Sequence, residues 1–76
     1  MTMDPPYARI VADIRARIVA GELRPGDRAP STRQITRQWG VAMATASKAL
    51  AALRQEGLVH PARGVGTVVS APPAPN

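Results

Sequence analysis

The chain has 76 residues, with ten Lys and Arg against five Asp and Glu for a formal net charge of +5, and it has no cysteine. That length allows one small domain with a single modest core, and the lack of cysteine excludes a disulfide scaffold and thiolate-bound zinc. The basic balance, with a pI near 11.5, points to an anionic partner such as nucleic acid, or else to a solubilising surface.

Residues 1–6, MTMDPP, carry two prolines and no apolar periodicity, and read as a flexible N-terminal arm. The opening MTMDPPYARI also lacks a basic stretch followed by an apolar run, and no segment reaches the length of a membrane span; a cytoplasmic protein without membrane contact is expected. From Tyr7, the apolar residues Tyr7, Ile10, Val11, Ile14 and Ile18 recur at helical spacing, with Arg9, Asp13, Arg15, Arg17 and Glu22 on other faces. An amphipathic helix over roughly 6–20 is predicted, stopped by Gly21 in a left-handed conformation and by Pro25.

In GELRPGDRAPS, Leu23 is the one strongly apolar residue and is expected to anchor on the first helix, while Pro25 and Gly26 suit the centre of a type II turn. Residues Arg28 to Pro30 should be extended, because the residue before proline is pushed away from helical angles, and can add an edge strand. Ser31 with Gln34 three residues on is a capping box. It opens a short helix of about 32–39 that buries Ile35 and part of Trp39 and ends at Gly40. Val41 points to the core, and an alanine-rich helix follows over about 42–56, with Ala46, Ala49, Leu50 and Leu53 on its inner stripe and Gly57 as its cap. Beyond Gly57 the runs LVHPA and GTVVS flank RGVG, predicting a two-stranded hairpin over about 58–70. APPAPN, residues 71–76, is a Pro-rich tail or linker, and the chain has no internal repeat.

Catalysis is poorly supplied. The single His60 precedes Pro61, and Asp4, Asp13, Glu22, Asp27 and Glu56 show neither pairing nor metal-ligand spacing. No nucleophile has a base beside it and no glycine-rich loop cradles a phosphate, so the chain is read as a non-enzyme with no cofactor and no metal.

Two short helices joined through glycine and followed by a β-ribbon describe a winged helix-turn-helix: a mainly α fold of three helices with a two- to three-stranded antiparallel sheet. Ile35, Gly40, Val41, Ala46 and Ala49 meet its needs, which are an apolar residue in the first helix, a turn glycine and small residues at the helix crossing. The run GELRPGDRAPSTRQITRQWGVAMATASKALAALRQEGLVHPARGVGTVVS resembles the DNA-binding domain of the GntR family of bacterial transcription regulators. That family's pattern runs approximately G-x-L-x-P-G-D-x-L-P-S-x-R-x-L, then G-V-S-R-x-T-V-R-x-A-L-x-x-L-x-x-E-G-L, then G-x-G-T-x-V. The resemblance spans about residues 7–70.

It implies a domain that docks as a homodimer on a double-stranded operator with dyad symmetry, with repression the expected sign. It also implies a C-terminal effector-binding domain, so the chain is either a piece ending in a linker or a small regulator in its own right. Arg33 stands at the family's P-S-x-R arginine, which contacts phosphate or guanine, and Ser31 caps the same helix. On the recognition helix Thr45 matches the family's Thr, and Lys48 holds a polar position; both are read as phosphate contacts. The family's Ser and Arg after Gly-Val are here Ala42 and Met43, and the Arg of T-V-R is Ser47. A guanidinium bonds guanine O6 and N7 together, so this helix lacks that guanine code. Ala42, Met43 and Ala44 offer methyl and thioether surface suited to a thymine methyl, and Ser47 a versatile hydroxyl. At the wing, Gly64 and Gly66 permit close backbone approach, Arg63 can enter a narrow minor groove and Thr67 can bond phosphate. Arg28, Arg37 and Arg54 are further cations with no assigned side. The alternative is a protein-interaction module that uses the Ala42, Met43 and Ala44 surface.

Overall fold

A computed structural model describes residues 6–70; the expected arm and Pro-rich tail lie outside the described residues, apart from Pro6. Three helices precede a hairpin: α1 (Pro6–Val19), α2 (Thr32–Trp39), α3 (Met43–Gln55), β1 (Val59–Ala62) and β2 (Gly66–Val69). Pro6 opens α1, where its missing N–H costs nothing and its fixed φ suits a first helical residue.

Each helix ends where a glycine takes a positive φ. At the end of α1 the Glu22 N–H donates to Arg17 O and the Gly21 N–H to Ile18 O, and at the end of α3 the Leu58 N–H donates to Leu53 O and the Gly57 N–H to Arg54 O. Both are Schellman closures, with Gly21 at φ 84 and Gly57 at φ 77. Gly57 thus sits one residue beyond the cap itself, Glu56, because the left-handed residue of this closure follows the last half-helical one. Gly40 ends α2 at φ 62 and turns the chain into α3.

α3 is the hub, packing against α1, α2 and β1. Its inner stripe, Ala46, Ala49, Leu50 and Leu53, joins Ile10, Val11 and Ile14 of α1, Ile35 of α2 and Val59 of β1 in one core. Tyr7, Ile18, Leu23 and Val41 pack partly buried against it, as the apolar pattern predicts, and Trp39 remains 37% exposed. Arg15 of α1 forks onto the Glu56 carboxylate beyond α3, through Nε to Oε1 at 3.0 Å and Nη2 to Oε2 at 2.6 Å. With the two side chains 45% and 38% exposed, this pair contributes about 0.2–1 kcal/mol and orients more than it stabilises.

β1 and β2 pair antiparallel with Ala62 opposite Gly66, so Arg63, Gly64 and Val65 form the loop. Gly64 at φ 78 takes the third position of a turn closed by the Val65 N–H donating to Ala62 O at 3.1 Å. The stretch before α2 supplies a third, minimal partner. The Gly26 N–H donates to Val69 O, the Val69 N–H to Asp27 O and the Ala29 N–H to Thr67 O, all at 2.8 Å, with Arg28 bridging Val68. The sheet therefore has two strands plus one bridge, with β2 in the middle.

A Cβ added at Gly57 would meet nothing within 4 Å, so the cost of Gly57→Ala is backbone conformation alone, about 1 kcal/mol. Urea denaturation should show a lower midpoint with an unchanged slope.

Candidate nucleic-acid interface

The segment between Asp27 and Glu56 holds Arg28, Arg33, Arg37, Lys48 and Arg54 and no carboxylate, and after Glu56 the only charged side chain is Arg63. Glu56 is taken by Arg15, and Asp13 pairs with Arg17 within α1 at 3.1 Å. Asp27 closes the Pro25-Gly26 turn, its Oδ2 accepting the Arg24 N–H at 2.8 Å while its own N–H donates to Arg24 O at 2.9 Å. Asp13, Asp27 and Glu56 are thus engaged on α1, at the turn and at the far end of α3. The α2, α3 and wing elements carry cations that, among the described residues, have no carboxylate partner. Such a face attracts a polyanion.

Ser31 and Gln34 form the predicted capping box: the Gln34 N–H donates to Ser31 Oγ at 3.1 Å and the Ser31 N–H to Gln34 Oε1 at 2.9 Å. This fixes the start of α2, from whose first turn Arg33 projects exposed. Between α2, α3 and the wing lies a groove of about 330 Å³ whose wall includes Ser31, Leu50, Gly66 and Thr67. Three of the sequence-predicted residues, Ser31, Gly66 and Thr67, therefore meet at one place.

α3 presents two outer ridges. Met43 and Ser47, four residues apart, form the first, with both side chains exposed and Met43 at 56%; the buried inner-stripe residue Leu50 lies further along the same side, where its edge is part of the groove wall. Ala44 and Lys48 form the second ridge, facing α1, where Lys48 Nζ sits 4.3 Å from the centroid of the Tyr7 ring. This cation–π contact is a local partner that periodicity alone does not disclose. Thr45 is half-buried, its N–H donating to Ala42 O at 3.0 Å. At the wing, Arg63 and Gly64 are exposed at the tip beside Val65, and Thr67 is half-buried, its carbonyl engaged by Ala29. Sequence reasoning did not place Arg28, Thr32 and Gln34 on the groove wall. Arg28 gets there through backbone pairing with β2: the extended stretch before Pro30 is the expected edge strand, reduced to a single bridge, but the local pattern does not say which strand it joins.

The model for bacterial regulatory proteins of the gntR family matches residues 6–69. The chain belongs to the GntR family. That family is one of regulators, not a class of enzymes. The HTH-type transcriptional repressor NagR of Bacillus subtilis is 38% identical over 68 residues, which cover 90% of this chain and 28% of NagR. A histidine utilization repressor of Klebsiella aerogenes is likewise 38% identical over 68 residues, 90% of this chain and 28% of its own length. This GntR domain thus spans under a third of either relative. Among solved structures, the AraR DNA-binding domain in complex with operator ORR3 matches with a TM-score of 0.84 at 32% identity, covering 91% of this chain and 83% of that one. YtrA from Sulfolobus acidocaldarius, a GntR-family transcription factor, matches at 0.85 and 35%, covering 93% of this chain and 60% of that one. The fold is the winged helix of GntR DNA-binding domains, and the protein-interaction alternative is not the one these relatives favour.

Ala42 stands at the start of α3 with extended angles (φ −69, ψ 156) and gives no side-chain hydrogen bond to the first turn. Restoring a hydroxyl through Ala42→Ser should stabilise the GntR domain by about 1 kcal/mol. Thermal unfolding followed by circular dichroism should show a raised midpoint; an unchanged one would mean that the first turn is already satisfied.

Proposed function

We propose that the domain binds operator DNA sequence-specifically, with α3 in the major groove and the wing, residues 62–67, at the minor groove. The observation that carries this reading is the AraR domain, which shares the fold and is bound to an operator. The uncompensated cations of α2, α3 and the wing support it. Arg33, Thr45 and Lys48 contact phosphates and set the docking, while Met43, Ala44, Ser47 and Arg63 supply sequence preference. Ala42 lets the helix start approach closely, and Ser31, Gly64, Gly66 and Thr67 hold backbone and hydroxyl groups against the strand. Methyl and thioether contacts discriminate less than a bidentate arginine, so preference is modest and weighted to thymine.

The regulator of which this domain is part acts as a repressor in the bacterial cytoplasm, associated with the nucleoid and without enzymatic activity. It binds as a homodimer to a site of dyad symmetry, with effector control in a further C-terminal domain. NagR and the histidine utilization repressor support the repressor sign by their names, and their lengths, far beyond the 68 residues shared, leave room for a further domain.

Selecting binding sites from random duplexes at stated salt tests the reading. Log affinity should fall linearly with log salt, with a slope of about −0.9 per phosphate neutralised; a flat response would sink it. Arg33→Ala should weaken all duplexes alike, whereas Ser47→Arg should shift the ranking toward sites with a guanine, because it restores a bidentate reader.

A further inference from the structure

The groove between α2, α3 and the wing has a chemically one-sided wall. Its polar side chains are Arg28, Ser31, Thr32, Gln34 and Thr67, every one of which can donate a hydrogen bond and none of which is a carboxylate. The capping box leaves donors to spare. Ser31 Oγ accepts from the Gln34 N–H, so its hydroxyl hydrogen remains to be given, and Gln34 Oε1 accepts from the Ser31 N–H, so its amide NH₂ does too. Arg28 is the one full charge on this wall, is exposed, and has no carboxylate partner among the described residues.

Arg28 is also held in place by main chain. Its bridge to Val68, with the flanking bonds from Ala29 to Thr67 and from Gly26 to Val69, sets its Cα relative to the wing whatever the side chain does. A wall with several available donors, one guanidinium and no carboxylate is complementary to a tetrahedral anion, whose oxygens accept from several directions at once. Leu50 and Val65 add apolar edges against which a sugar can pack.

We propose that this groove seats a single phosphodiester of the DNA backbone, with Arg28 as its charged ligand and Ser31, Gln34 and Thr67 as further donors. The proposal rests on the DNA-binding reading and deepens it: one strand passes between the start of α2 and the wing, so both elements grip the same phosphate.

The test uses the full chain and a duplex recovered from the random selection. Arg28→Ala should weaken binding about tenfold at low salt and make the log–log salt slope shallower by about 0.9, without changing the ranking of duplexes. Arg28→Lys should recover the slope, since the charge is kept, but not the full affinity, since the fork is lost. Replacing backbone phosphates singly by neutral methylphosphonates should reveal a position that weakens the parent chain and leaves Arg28→Ala unaffected. Thr67→Val, which keeps the shape, should weaken binding at that same position and serves as the test if Arg28→Ala does not fold.

Equal affinity and slope for Arg28→Ala overturns the proposal. So does an altered duplex ranking with an unaltered slope, which makes Arg28 a base reader. Arg28-dependent binding of inorganic phosphate alone, with DNA affinity unaffected by Arg28→Ala, also overturns it in favour of a free anion. If the parent chain shows no salt-dependent DNA binding, the DNA-binding reading itself fails and the phosphodiester seat falls with it.

Discussion

Everything in the domain depends on the demand that α3 be both the centre of the core and the outward edge of the molecule. Ala46 and Ala49 are fully buried, and their small side chains let α1 and α2 approach the same helix from different sides. Leu50 and Leu53 supply the volume that the alanines do not. Because the inner stripe is committed to three neighbours, the rotation of α3 about its axis is fixed by packing, and with it the identity of the residues left outside. A helix loosely placed could not present Met43 and Ser47 on one ridge and Ala44 and Lys48 on another.

Charge is distributed to match. Asp27 closes a turn, and Asp13 and Glu56 pair with arginines of α1, where they stabilise modestly, while the face made by α2, the start of α3 and the wing keeps its cations. The first ridge of α3, Met43 and Ser47, carries no arginine, and the positive residues sit around the start of that helix rather than on that ridge. In the proposed complex, affinity comes from the surround and selectivity from small apolar groups, a division that favours backbone grip over base discrimination.

Much of this was legible in the chain. Ser31 and Gln34 announce the start of α2, glycines at 21, 40 and 57 announce the helix ends, and RGVG announces the hairpin, because each of these signals acts within a few residues. The inner stripe of α3 followed from period alone. What could not be read lies in contacts between distant parts of the chain: Arg15 with Glu56, Lys48 with Tyr7, and Arg28 beside the wing. The sequence marks Lys48 as a phosphate contact; that Tyr7 sits under it depends on how α1 crosses α3, which periodicity constrains only to a face. The donor groove was invisible for the same reason, since its wall draws on residues 28–34, 50 and 65–67, which only the sheet brings together.

The bonds joining residues 26–29 to β2 make the loop before α2 a splint for the wing. A two-stranded ribbon on its own would swing about its base, since isolated hairpins are marginal in water. Here the backbone entering α2 is the same backbone that steadies β2, so the wing and the first helix of the motif are tied to move as one piece. Bending or widening of a bound duplex would therefore be felt as a load shared by both, and the domain would gauge the spacing between a groove edge and the neighbouring strand as a caliper does, by a fixed gap.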